Sequence, residues 1–432
     1  MLTTIAVILS LTLGTYCCWS FVKNERFRRR YEDMPTTKTA GVFIGEVELK
    51  GTAETSGPLT APLSRREAVW YDWYVEEQWQ RTEREKVSPE RAKEIGSEYE
   101  EKVVNGWNRI AGSTSSSLFY LKDETGHVRI DPQKARVEPV QAVYKTCRSS
   151  DPFYFHNAPR EAIADSTGDR RFTEAIIPVG APLFISGHSR IRDDAVAAEV
   201  AWDADHPDYL ISTNPEEKII KGVKASSVGS RVIFVLLSAF IFYAFFREWV
   251  PALIGGAVGL TALVPAWIWV VHQSMVKLKN RSAQAASNVD VELKRRHTLI
   301  PQLIEAVRGF KEYEADLQPA LTELRSQERI REVGDAREEG VLVPVARQIM
   351  AVVERYPALK SSALFLNLQK NLAETEDRIA LARQYYNDTV EYVNSRRESF
   401  PEGLVARLSG VRKLDYFHAE AFERPSVQIG LE

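Results

Sequence analysis

Asn288-Val-Asp-Val-Glu-Leu-Lys-Arg-Arg-His-Thr-Leu-Ile-Pro-Gln-Leu-Ile-Glu-Ala-Val307 opens a long charged arm, Leu278 to Pro401, that begins where a strongly apolar block ends. Its apolar residues Val289, Leu293, Ile300, Leu303, Val307 and Phe310 recur at a mostly three-to-four spacing, which places them on one face of a helix. Upstream, Val271, Met275, Leu278 and Ala285 carry the same stripe back into the apolar block, so the spacing predicts one rod leaving it. Pro301 cannot donate a backbone hydrogen bond and is expected to bend or restart that rod. Further helices are expected around Leu317, Leu321 and Leu324, and from Leu342 to Tyr356. A last long helix carries Leu368, Leu372, Ile379, Tyr386, Val390 and Val393 and closes at Phe400-Pro401. Packed antiparallel, these elements make an elongated helical bundle.

Working outward, the chain enters the arm from a hydrophobic block. Val232 to Val271 is forty residues long, with charge only at Arg247 and Glu248 near its middle. That pattern predicts a two-span hairpin, residues 231–272. Gly255 and Gly259 form a GxxxG pair, consistent with close helix packing or with the ordinary abundance of glycine in spans. A further apolar stretch, Leu2 to Phe21, is long enough to cross a hydrocarbon core of about 30 Å and makes residues 1–22 a third expected span. Lys23, Arg26 and Arg28 to Arg30 follow it in a basic linker, residues 23–38. Lys221, Lys224 and Arg231 precede the hairpin, and Lys277, Lys279 and Arg281 follow it. Basic flanks stay in the cytoplasm, so the amino terminus is expected outside and the soluble segments inside. Arg28 to Arg30 also suit anionic lipid headgroups, beside their plainer role as topology determinants.

Between the membrane blocks the texture is β. Residues 41–54 alternate in places, Ala68 to Trp79 is aromatic and β-prone, and Ser117 to Val137 reads as two strands around Asp123-Glu-Thr-Gly126. A further strand pair is expected after Pro178-Val-Gly180, with Gly187 at the next break. Short strands and regular turns predict a small β-barrel of oligonucleotide-binding-like (OB-like) topology over residues 39–225. The charged stretch at about 80–116 is expected to be a helical or mobile insertion. The fold class is therefore a multi-domain membrane protein: a small barrel with an insertion, a transmembrane hairpin, and a helical bundle over residues 273–405 with a tail at 406–432.

Composition and motifs narrow the function classes. With 56 basic and 59 acidic residues the net charge is -3, which gives no bulk electrostatic reason to bind nucleic acid. Three cysteines cannot form a disulfide framework, and Cys17 and Cys18 lie in the first apolar segment. Cys147, beside Lys145 and Arg148, is a candidate for a lowered pKa. The chain holds no HExxH, no GxxxxGK[ST] and no GxSxG. Its seven histidines are scattered and read as solvated or structural residues. No catalytic, metal or cofactor site is expected.

Two resemblances add to this reading. "VELKRRHTLIPQLIEAVRGF" and the run from Glu354 to Pro401 resemble the LemA family of bacterial membrane-anchored helical proteins. "GPLTAPLSRREAVWYDWYVEE", "FYLKDETGHVRIDP" and "FTEAIIPVGAPLFISG" resemble the domain between the two membrane spans of ubiquitin ligases of the MULAN/GIDE type. Those ligases organise catalysis through a RING, which needs eight Cys or His ligands on two zinc ions, largely as CxxC pairs. This chain has no such pair. The resemblance therefore implies the domain's fold and not its ligase activity.

Glu376 and Arg383 interrupt the apolar seam of the last helix, seven residues apart. Either they flank a narrow stripe, or they are buried partners of Arg295 or Arg296 that fix helix register. The second reading predicts that removing the charge of Arg383 costs more stability than removing that of Lys370. The leading functional expectation is a non-enzymatic membrane scaffold with protein partners and self-association; a ubiquitin-ligase-like transferase and a ligand sensor through the β domain stand as alternatives.

Overall fold

The computed structural model describes residues 2–86, 97–192, 197–246, 249–308 and 363–417. They form two units, residues 36–219 and the remainder before and after them.

The first unit is all β. Five of its strands close a ring: β1 (Gly45–Glu54), β5 (Phe119–Lys122), β6 (His127–Ile130), β10 (Pro182–Ile191) and β11 (Ala198–Ala201). β1 pairs β5, β5 pairs β6, β6 pairs β11 in parallel, β11 pairs β10, and β10 returns to β1. That circuit, with one parallel closure, is the connectivity expected of an OB-like barrel. β12 (Leu210–Ser212) extends β10, and β7 (Arg136–Glu138) pairs with β12 in parallel. Alternate residues point inward, so Val47, Leu49, Phe119, Leu121, Val128, Ile130, Ile185 and Val200 fill the interior.

A second sheet holds β2 (Leu59–Thr60), β3 (Glu67–Lys86), β4 (Tyr99–Thr114), β8 (Val140–Arg148) and β9 (Ser166–Pro178). The pair expected after Pro178–Val179–Gly180 is a single strand, β10. β9 lies in the second sheet and β10 in the barrel, so the turn carries the chain between them. Gly187 is likewise no break: it sits inside β10, where a Cβ would come within 2.7 Å of the Tyr209 ring. The chain needs glycine there for close approach rather than for a turn.

The stretch expected as a helical or mobile insertion is strand through Lys86 and from Tyr99 to Thr114. β3 and β4 pair from Asp72↔Thr114 out to Lys86↔Tyr99, and the distal half bears exposed residues on both faces. Two wetted faces leave no hydrophobic alternation to read, so period-two patterning vanishes. Cross-strand ion pairs, Lys102–Glu85 at 3.0 Å and Arg84–Glu101 at 3.6 Å, complement the backbone ladder instead.

The second unit is helical. Helix α1 (Leu2–Glu32) contains the expected first span and runs on through most of the expected linker. Pairs of Arg28 with Glu25 and Glu32, three and four residues away, favour that continuation. Helices α2 (Glu216–Phe246) and α3 (Trp249–Arg308) carry the two expected spans; the turn expected at Arg247-Glu248 lies outside the described residues. At 60 residues α3 is about 90 Å long, a rod that stays helical through Pro301. Val271, Met275, Leu278, Ala285 and Val289 are all buried along it.

Helix α4 (Ala363–Glu398) returns along α3, burying Leu372, Ile379, Tyr385, Val390 and Val393, and short α5 (Glu402–Leu408) follows. Tyr385 takes the buried place expected of Tyr386. The helices expected at 317–324 and 342–356 lie outside the described residues.

Candidate functional site

Glu25, Arg29, Asp33 and Arg281, all buried, cluster where the far end of α1 meets α3, α4 and α5. Asp33, just past α1, is 4% exposed. Its carboxylate takes a hydrogen bond from Ser274 Oγ and pairs with Arg396, while its backbone carbonyl accepts from Arg281 Nη1 at 2.9 Å. Arg396 reaches Glu402 Oε2 with its other terminal nitrogen at 2.6 Å. Arg29 donates to Glu402 Oε1 at 2.8 Å and faces Glu25 at 3.4 Å. Arg396 is thus a planar fork between two carboxylates on different elements.

The electrostatics follow the enclosure. Burial pushes the Asp33 carboxyl above its ordinary value, against the pull of Arg396, Ser274, Arg29 and Arg281. Burial raises Glu402 as well, but the Arg29 hydrogen bond and the Arg396 charge outweigh it and leave the group below its ordinary value. Glu25 is lowered in the same way, burial being overcome by Arg28 first, then Arg29 and Arg231. Arg28 and Arg29, read in the sequence as possible lipid contacts, are engaged by carboxylates of the protein itself. The same region ties α1 to α2: Asn24 Nδ2 donates to Ser226 Oγ at 2.9 Å, Ser20 and Ser230 lie 3.2 Å apart, and Ser227 Oγ reaches Glu25.

Of the residues singled out in the sequence, Arg296 and Glu376 come together, Nη1 to Oε1 at 3.5 Å, with Arg296 buried and Glu376 partly open. Arg295 is exposed and Arg383 half-buried. Gly255 and Gly259 both face α2: a Cβ on Gly255 would stand 2.6 Å from the Phe242 ring, and one on Gly259 2.0 Å from Ser238 Oγ.

A contact that sequence reasoning missed lies on α4. Asn394 donates to Leu414 O at 2.9 Å and accepts from Leu414 N at 3.0 Å; Asn387 does the same with Phe417 at 3.0 and 2.8 Å. Seven helical residues advance about 10.5 Å and three extended residues about 10 Å, so the two asparagines match every third residue of the strand-like tail. The Asn387/Asn394 spacing was visible; its partner, an extended segment, was not.

In the β unit, Arg170 is wholly enclosed. It gives two hydrogen bonds to Glu77 Oε2 at 3.0 and 2.9 Å and others to the carbonyls of Tyr154, Pro159 and Glu161. Every one of these partners belongs to the domain's own frame, so the pair braces β3 against β9. Cys147 does not have the lowered pKa suggested by its basic neighbours: burial raises the thiol, Asp151 adds to this, and Lys145 is drawn away to Asp151 at 2.8 Å. Glu199 is held between Arg129 and Arg190; burial works to raise its pKa, and the two guanidinium groups bring it below the ordinary value. Among the histidines, His127 stands edge-on to Tyr120 and His156 stacks on Phe153, whereas His188 and His206, far apart in sequence, stack on one another at 4.8 Å. His418 lies outside the described residues.

Barrel, apolar helices and charged knot define a class: a membrane-associated protein that joins a small β module to a helical arm. Among the described residues two helices are long and apolar enough to cross a membrane, Glu216–Ala244 and Trp249–Leu299. Residues 285–430 match the LemA family, and residues 89–242 match the GIDE model, described as E3 ubiquitin ligase. The chain thus combines a LemA-type arm with a GIDE-type region.

Among curated relatives, it is 31% identical over 71 residues to magnetosome protein MamQ of Magnetospirillum gryphiswaldense and 34% identical over 70 residues to magnetosome protein MamQ 1 of Paramagnetospirillum magneticum. Each match covers 16% of this chain and 26% of the relative. The chain therefore spans about a quarter of the length of these relatives. Protein LemA of Metamycoplasma hominis is 22% identical over 156 residues, 35% of this chain and 71% of that protein.

Proposed function

We propose that this protein is a non-enzymatic scaffold of a bacterial inner membrane, with its amino terminus outside, three spans, and both the barrel and the helical arm in the cytoplasm. The observation that carries the reading is the knot around Asp33. It brings together the exit of the first apolar segment (Glu25 to Asp33), the approach to the second (Ser226 to Ser230) and the exit of the third (Ser274 to Arg281). Three spans threaded through one bilayer need these points at one level on one side, and the basic flanks favour the inner side. The enclosed charges of the knot face one another, which suits a rigid joint between anchor and arm rather than a reaction centre.

On this reading the arm and barrel present surfaces to protein partners and to a second copy of the chain, with membrane lipids around the spans and no role for nucleic acid. Two measurements test it. Protease added to intact cells should leave both modules whole; digestion of both would overturn the topology. In mild detergent the protein should run above its monomer mass or carry a companion protein, and a strict monomer with no companion would sink the scaffold role. The GIDE match keeps a transferase reading in view. It requires about two zinc ions per chain, as a RING binds, together with discharge of a ubiquitin thioester.

A further inference from the structure

His188, Asp203 and His206 meet at the barrel's rim. Their nearest ligand atoms all lie within 4.8 Å of one another, with His188 Nδ1 and Asp203 Oδ2 at 3.3 Å. Tetrahedral zinc with ligands at about 2.0–2.1 Å has ligand-to-ligand edges of about 3.3 Å. One edge of such a site is therefore already at its bound length, and the third ligand, exposed His206, closes the rest by turning out of its stack on His188.

The backbone that presents these groups is fixed. His188 stands within β10, paired on one side with Glu46 and on the other with Ala201. Asp203 and His206 lie on the connection from β11 to β12, which is pinned at both ends. Trp202 lies under the Lys134 ammonium at 3.9 Å, and Tyr209 donates to Asp131 O at 2.8 Å while its ring occupies the space that Gly187 leaves open. Within the loop the Asp205 amide donates to Asp203 Oδ1 at 2.8 Å, which leaves Oδ2 turned to His188. An aspartate carboxyl, with an ordinary pKa of about 3.9, is ionised at neutral pH, as a metal ligand must be.

We propose that His188, Asp203 and His206 form a three-ligand site for a divalent transition ion of the zinc class, with the fourth position open to water or to a donor from a partner. Two imidazoles and one carboxylate suit such an ion and are a poor set for Mg2+ or Ca2+, which prefer all-oxygen shells. The site lies on the β module and does not depend on the scaffold reading. A single ion held here is also distinct from the two expected of a RING.

The test uses the full-length protein in detergent, stripped of metal and titrated with Co2+ alone, then with Zn2+ in competition. The expected result is one equivalent of Co2+ with the visible absorption of a tetrahedral centre, displaced by Zn2+. H206A, an exposed change with little bearing on folding, and D203N should each weaken binding by more than about tenfold, since even indirect contacts to a metal commonly account for 10–100-fold. H127A, at the unrelated Tyr120 stack, should bind as the parent does. No saturable binding, or binding that H206A and D203N leave unchanged, would overturn the proposal. Two equivalents that survive H206A would overturn it in favour of a zinc site elsewhere.

Discussion

Replacing Arg396 with Met removes a side chain that bridges Asp33 and Glu402. The side chains of Asp33 and Glu402 are only 5% and 18% exposed, so neither carboxylate gains much water in exchange. Breaking a buried pair by deleting one partner costs about 3–5 kcal/mol. The lower end applies here, because Glu402 keeps Arg29 at 2.8 Å and Asp33 keeps Ser274. Asp33 can also take up a proton, its pKa being already raised. A loss of about 3 kcal/mol multiplies local opening by roughly 150.

The assay is hydrogen exchange by mass spectrometry on the full-length protein in detergent, following peptides from the end of α4 through α5. R396K, which keeps the charge but can reach only one carboxylate, should fall between parent and R396M. K413M removes an exposed partner of Glu398, 62% open on each side, and should shift exchange by no more than a surface pair does, about 0.5 kcal/mol.

Acidification adds a sign. The raised pKa of Asp33 makes its charged form a liability that is complete above the folded value and absent below the unfolded value near 3.9. Loss of Arg396 raises the folded value further. The R396M deficit should therefore shrink as pH falls from 7 toward 4. A change below about fivefold at pH 7, a change matched by K413M, or a deficit that grows on acidification would refute the reasoning.

Gly255→Ala and Gly259→Ala each drive a methyl into α2, at Phe242 or Ser238, and should lower the detergent melting temperature, whereas Gly256→Ala, whose added carbon stays 3.7 Å from Ala239, should leave it unchanged. Asn394→Ala loses two hydrogen bonds to Leu414, about 2 kcal/mol together, and should speed exchange in the 411–417 segment without disturbing α3. Glu199 has a lowered folded pKa, so its contribution is full above the unfolded value of about 4.3 and is lost as pH falls through the folded one; Glu199→Gln should flatten the acid limb of barrel unfolding below pH 4. Charge removal at Arg383 should lower the melting temperature more than at Lys370, which is 76% exposed and pairs with Glu374 at 3.9 Å; equal shifts would place Arg383 outside any register-fixing network.

What was legible in the sequence follows one physical rule. Burial on one face writes a period, and the period can be read. The α3 stripe from Val271 to Val289 and the alternation through Val47 and Leu49 are of this kind, and they located the rod and the barrel. The distal β3–β4 ladder has two wet faces and writes no period, so its strands are not legible. Gly187 was read as punctuation because a glycine in sequence does not say whether it serves a turn or a close approach; only the Tyr209 ring against it decides.

Charges obey a different rule, which is why spacing along the last helix points to Glu376 and Arg383 rather than to Arg396. Residues seven apart on one helix are neighbours by construction, and sequence spacing finds them. Asp33 and Arg396 are separated by more than three hundred and fifty residues, and nothing local marks either as buried. Their pairing exists because α4 runs back along α3 and delivers its last turn to the level where α1 ends. A polar contact of that kind is a consequence of the helices' lengths: if α3 or α4 were lengthened by one turn, about 5.4 Å, Arg396 would pass Asp33 and the knot would open. An insertion of four residues in either helix, with its apolar stripe preserved, should therefore leave helical content intact while reproducing the exchange signature of R396M. Retention of parental protection in α5 would show that the joint does not depend on this register.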